Sequence, residues 1–192
     1  MRRTAAELFR RQGYHGTGVS QIVEESGAPS GSLYFHFPGG KTELAIEAVT
    51  AAGRDIGRGI EYLLESSEDV AEAIERVLDY VAGDLRDSDY EHGCPVGTVA
   101  LDTASTSEAI RLACRTIFDD WAAKVSVRLR AAGWGKKAAD DEALVVVALI
   151  EGALLLARAR RDTDPLEAMA RHVRTTLTKP PARSRGRKRA KA

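Results

Sequence analysis

Hydrogen-bonding and small residues crowd the stretch from Gly13 to Leu44, GYHGTGVSQIVEESGAPSGSLYFHFPGGKTEL. Tyr34, His36 and Lys41 offer a phenol, an imidazole and an ammonium, groups suited to phosphate oxygens. Ser30, Gly31 and Ser32 lack the bulk that would hold a backbone away from base edges, and the two hydroxyls can bond several bases. The unpaired N–H groups of helix starts add anion affinity. Taken one at a time, Tyr34 and His36 also read as packing and solvated surface, Lys41 as decoration of a helix start, and Ser30 and Ser32 as capping hydroxyls. Elsewhere the chemistry is thinner. His92 and Cys94 stand two apart beside Glu91, but no second pair at a supporting spacing completes a four-ligand metal site. Neither a G-x-S-x-G elbow, a phosphate-binding glycine loop nor a zincin motif occurs, so neither catalysis nor a cofactor is expected. Cys94 and Cys114 read first as small buried hydrophobes and only second as redox sensors.

The elements that must position these residues are helices, because apolar residues recur at helical spacing and no stretch alternates long enough to be a strand. The first helix, roughly Arg3 to Gln12, gathers Ala5, Leu8 and Phe9 on one face and stops at Gly13. Val19, Ile22 and Val23 mark a second helix ending before Gly27, and a short third, about Ser30 to Phe37, turns Leu33 inward. Two short helices across a tight turn suit a helix-turn-helix. A long fourth helix runs from Lys41 through Leu44, Val49, Ile56, Ile60 and Leu63. Ser66, with Asp69 three residues on, reads as the cap of the next helix, and Ser105 to Glu108 as the capping box of a later one that stops at Gly133. Two last helices follow, about Ala138 to Arg160 and from Asp164 onward, where Asp caps and Pro165 takes the first turn.

Composition agrees. Of 192 residues 44% are hydrophobic, 29% charged and 6% aromatic, a mix for an all-α globular protein and against an all-β one. Two cysteines cannot build a disulfide framework and no charged-then-apolar leader opens the chain, so the expected compartment is the cytoplasm. The longest apolar run, Ala143 to Ala157, is interrupted by Glu151 and is shorter than the roughly 20 residues that span a bilayer, so no membrane partner is expected. The formal net charge of zero conceals an asymmetry: residues 179–192 carry seven Lys or Arg and no acid, leaving 21 basic against 28 acidic residues elsewhere. That basic tail reads as disordered, and as a clue to a polyanionic partner or as plain solvated terminus.

The stretch from position 2 to 46 resembles the TetR family of bacterial transcriptional regulators. It carries Gly13-Tyr14-x-x-Thr17, then Ile22 with Gly27 five residues on, then Leu33-Tyr34-x-His36-Phe37 and Lys41. The resemblance implies that Tyr34, His36 and Lys41 bind phosphates, that Thr17 and Ser20 lie at the DNA-facing start of the second helix, and that Ser30 to Ser32 meet bases. Gly18 stands where the family commonly has Ser or Thr. Pro38-Gly39-Gly40, with Gly93-Cys94-Pro95-Val96 and Ala100-Leu101-Asp102, looks like the LmrA and YxaF branch.

The same resemblance implies an N-terminal helix-turn-helix DNA-binding domain over 1–46, a helical ligand-binding and dimerisation domain over 47–178, and the tail from 179. A small apolar or aromatic effector is then expected in a pocket behind the fourth helix, with Ile60, Leu64, Val77, Val81, Val96, Phe118, Trp121 and Val125 as lining, although each also reads as plain core. The last two helices look like half of a four-helix homodimer bundle, with Leu144, Val147, Ile150, Leu154, Met169, Val173 and Leu177 at the interface. Glu151 within that stripe is an interfacial hydrogen-bond partner or points outward. The expected function is a ligand-responsive repressor on a palindromic operator, not an enzyme. The alternative is a helical small-molecule-binding or interaction module without sequence-specific DNA binding, since the first 45 residues hold only five Lys or Arg against four acids.

Overall fold

A computed structural model describes residues 1–29 and 31–178; Ser30 and the basic segment 179–192 lie outside the described residues, and with them the expectations placed there. Among the described residues the chain forms nine helices and no strand. They are α1 (Arg2–Gly16), α2 (Val19–Glu25), α3 (Ser32–His36), α4 (Gly40–Ser66), α5 (Val70–Asp87), α6 (Pro95–Thr103), α7 (Glu108–Ala131), α8 (Lys136–Arg160) and α9 (Asp164–Thr176). None is long and apolar enough to cross a membrane.

Helix ends follow local chemistry. Gly13 takes φ 79°, breaking α1 where the sequence puts a stop, but one more helical turn continues to Gly16. A Cβ at Gly13 would also run into the Asp102 carboxylate, so glycine is required twice there. The α2–α3 turn is a Schellman closure: Gly27, at φ 65°, donates to Glu24 O and Ala28 to Val23 O, over 3.0 and 3.2 Å. The cap of α5 differs from the sequence expectation. Ser66 ends α4, while Asp69 is the N-cap and accepts from Glu72 N at 2.8 Å, and Glu72 accepts from Glu68 N at 2.7 Å. Asp69 wins because it directly precedes the amphipathic run that starts at Val70. Ser107 caps α7, accepting from Ile110 N, and Gly133 at φ 93° follows its end.

Packing divides the apolar residues into two clusters. One joins Leu8 and Phe9 of α1, Ile22 of α2, Leu33 of α3 and the first half of α4 to Val96 and Val99 of α6 and to Ile110, Cys114, Ile117 and Trp121 of α7. The other gathers the end of α4, α5, the end of α7, α8 and α9. The position between residues 46 and 47 falls inside α4, which runs unbroken through both clusters. Glycine lets α4 and α7 meet closely. A Cβ on Gly53 would lie 2.5 Å from Ile117 Cγ2, and Trp121 Nε1 donates to Gly53 O at 2.9 Å.

Candidate nucleic-acid interface

Leu33 and Phe37 are four residues apart on α3 and its C-cap, so they share a face, and both are buried against α1 and α4. Residues between them must turn outward. Tyr34 is 63% exposed and Phe35 81%, and His36 is exposed with its ring edge-on to Phe35, centroids 5.1 Å apart. Phe35 is a solvent-facing aromatic that sequence reasoning passed over; its place midway between two inward residues was the available signal. Gly31, at φ 88°, caps α3 with open space where a Cβ would stand, and Ser32 behind it is half-buried.

At the start of α2 the two expected residues part company. Ser20 is exposed. Thr17 is buried, its hydroxyl donating to Gly13 O at 2.7 Å, so it ties the kinked end of α1 together and presents no side chain outward. Gly18 is the N-cap of α2 and makes no side-chain cap bond.

Lys41 is half-buried. Its Nζ donates to Tyr14 O at 2.6 Å and sits 4.2 Å from the centre of the Tyr14 ring, whose hydroxyl is 3.3 Å from Thr42 Oγ1. Burial pulls its pKa down, and the nearby Asp102 carboxylate opposes that shift. Lys41 therefore bolts the end of α1 to the start of α4 and keeps further N–H donors for an anion. Tyr34 leans over the same corner, its Cε1 3.4 Å from where a Cβ on Gly40 would stand. Three of the four arginines of α1 are engaged elsewhere: Arg2 pairs with Glu47 at 3.1 Å, Arg10 with Asp84, and Arg11 with Glu91 at 2.6 Å.

The expected pocket residues are split. Leu64 and Val125 are buried in the α5–α9 cluster, Val96 and Trp121 in the other, with Phe118 edge-on to Trp121 at 5.5 Å and Ile60 packed against both. Val77 and Val81 are half-buried on α5. A cleft of about 470 Å³ opens elsewhere, lined by Glu68, Asp69, Ala71, Glu72, Glu75, Arg174 and Thr178, none of them among those residues.

The expected dimer stripe is divided too. Leu154, Met169, Val173 and Leu177 are buried in the protomer's own α5–α9 cluster, and Val147 is buried with α6 and α7. Ile150 is half-buried against the α5–α9 cluster, and Leu144 is 59% exposed. Together with Val145, Leu149, Leu155 and Leu156, all exposed, Leu144 forms the outward apolar face of α8. Periodicity alone could not choose, because α8 is apolar on both sides at its centre. Glu151 turns inward: its carboxyl lies beside the Cys94 thiol and against Gly97, where a Cβ would strike it. Burial raises the Glu151 pKa, the Cys94 contact partly opposing, and raises that of Cys94, the Glu151 charge adding to it. Burial also pushes the Cys114 thiol up to about 11. His92 faces another way, Nδ1 3.2 Å from Asp84 Oδ1. Among the described residues no three His, Cys, Asp or Glu side chains gather as a metal site.

Residues 2–48 match the family described as bacterial regulatory proteins, tetR family, and residues 70–172 match the transcriptional regulator LmrA/YxaF-like C-terminal domain. The chain is 39% identical over 176 residues to the uncharacterized HTH-type transcriptional regulator YxaF of Bacillus subtilis, covering 92% of both chains. It is 41% identical over 162 residues to the HTH-type transcriptional regulator LmrA of the same organism, covering 84% of this chain and 86% of that one. A TetR transcriptional regulator from Legionella pneumophila superposes with a TM-score of 0.81 at 22% identity, over 91% of this chain and 95% of that one, and so shares the fold. A helix-turn-helix with an outward α3, an all-helical C-terminal portion and these two family matches make the chain a DNA-binding transcriptional regulator, and it belongs to the TetR family in its LmrA/YxaF-like branch.

Proposed function

We propose that the protein is a homodimeric repressor that binds a palindromic operator and leaves it when a small apolar or aromatic molecule binds. The observation that carries the DNA-binding half is the outward face of α3, where Gly31, Tyr34, Phe35 and His36 are exposed. On this reading Tyr34, His36 and Lys41 hold phosphates, and Ser30, Gly31, Ser32 and Phe35 meet base edges, Phe35 through apolar contact of the kind a thymine methyl accepts. Dimerisation rests on the exposed apolar face of α8, which a monomer would leave in water. A two-fold pair then presents two α3 helices to half-sites about one DNA turn, roughly 34–36 Å, apart.

On this reading the effector enters between α4 and α7, near Ile60, which packs against both clusters, and near the edge-on pair Phe118 and Trp121. A ligand that wedges there separates α4 from α7 at Gly53, and α4 carries Lys41 at its other end. A coupling of about 1–3 kcal/mol between effector and DNA is the usual size, and DNA must weaken effector binding by the same factor. Selection of duplexes from a random library, followed by protection mapping, tests the reading. Enrichment of one inverted repeat is expected; recovery of no preferred sequence refutes it.

A further inference from the structure

Arg158 of α8 reaches across to two other segments. Its Nη2 donates to the carbonyl of Glu91 at 2.9 Å and to that of Arg11 at 3.4 Å, one on the α5–α6 connection and one on α1. Between these points Gly93 pairs with Arg10 twice: Gly93 N donates to Arg10 O at 3.0 Å, and Arg10 Nε donates to Gly93 O at 3.2 Å. A Cβ at Gly93 would lie 2.7 Å from Arg158 Nη1 and 2.8 Å from Thr98 Oγ1, so a side chain there would push α8, α6 and α1 apart. Glu151 stands seven residues before Arg158 on the same face of α8. Its carboxyl meets Cys94, whose sulfur caps α6 by accepting from Gly97 N at 3.3 Å.

Arg158 is held where its charge is disfavoured, first by burial and then by the neighbouring Arg10. What offsets that cost is a pair of neutral carbonyls on separate segments, an arrangement that fixes position and neutralises no charge. The second half of the α5–α6 connection is thus held by α8 at Glu91 and at Cys94, and Gly93 between them is paired with α1. From Arg10, α1 continues through Gly13 and Thr17 directly into α2 and α3.

We propose that Glu151 and Arg158 form a two-point clamp through which α8 sets the position of residues 91–97, the end of the α5–α6 connection and the start of α6, and, by way of Arg10 and Arg11, of α1 and the helix-turn-helix. They are positioning residues that fix where α3 stands relative to the outward face of α8. The inference rests on the proposed DNA-binding and dimer reading for its consequence, and on the contacts above for its mechanics.

Full-length Arg158→Met keeps the apolar stem and removes the donors, and Arg158→Lys keeps a charged N–H donor group. Hydrogen exchange on the free protein is expected to quicken by about tenfold at residues 10–17 and 91–97 in Arg158→Met, with α9 unchanged and Arg158→Lys nearer to wild type. Affinity for the inverted repeat selected by wild type should fall by about tenfold while affinity for a single half-site stays within twofold, and the penalty for inserting one base pair between half-sites should shrink. Unchanged exchange at 10–17, or an equal rise over the whole chain with half-site and repeat weakened alike, overturns the clamp. A wild-type chain that enriches no duplex refutes the DNA-binding reading, and the exchange pattern still decides whether Arg158 holds α1.

Discussion

Truncating Leu155 to alanine tests which face of α8 pairs two protomers. Complete burial of a leucine side chain is worth roughly 1.5–3 kcal/mol. Leu155 retains 54% of its surface in the protomer, so about 1 kcal/mol awaits a partner on each side. A two-fold interface repeats the effect, giving about 2 kcal/mol for Leu155→Ala and roughly a 30-fold rise in the dimer Kd. Leu144, 59% exposed on the same face, should behave alike. Val147→Ala is the control, because that side chain is buried against α6 and α7 of its own protomer. It should lower Tm by about 2–4 °C for each kcal/mol of destabilisation and leave the Kd within about twofold. Sedimentation velocity across a concentration series reads the Kd, and a melting curve reads the Tm. If Leu155→Ala and Leu144→Ala sediment as wild type while Val147→Ala dissociates, the outward face has been misassigned and the reasoning from exposure fails.

Lys41→Ala and Tyr34→Phe should both weaken binding to every duplex, but only Lys41→Ala, which removes a charge, should flatten the slope of log affinity against log salt, by about 0.9 for the phosphate no longer neutralised, whereas Phe35→Ala should change the preferred sequence; salt titrations on selected and scrambled duplexes separate these outcomes. Thr17→Val removes the buried bond to Gly13 O and should cost about 1 kcal/mol of stability in chemical unfolding with an unaltered salt slope, and a changed slope would return Thr17 to the DNA face. Glu151 has a pKa raised by burial above its ordinary 4.5, so the folded state holds its proton more tightly than the unfolded state does. Its contribution is therefore fullest below about 4.5 and disappears as pH rises through the raised value. Wild type should lose stability relative to Glu151→Gln across that window, and parallel unfolding profiles from acid to neutral pH would contradict an inward carboxyl.

The amino-acid order alone determined the helical class, the stops at Gly13 and Gly133, the helix-turn-helix pattern around Gly27, Leu33 and Phe37, and the branch signature at Gly93-Cys94-Pro95. These are local matters: capping, positive φ and one buried face per short helix are written within a few residues. Even there a close competition between caps, Ser66 against Asp69, needed the tertiary arrangement to decide it. What the sequence could not settle was which side of a doubly apolar element points where. α8 offers two apolar stripes, and only the placement of α5, α7 and α9 puts Leu154 inside and Leu155 outside. Thr17 reads as a DNA-facing hydroxyl until the kink at Gly13 brings a carbonyl to it. Glu151 and Arg158 look like ordinary charges on a helix, and their partners are 57 and 67 residues away, Cys94 and Glu91, brought close only because α1, α6 and α8 pack around one glycine with no room for a side chain.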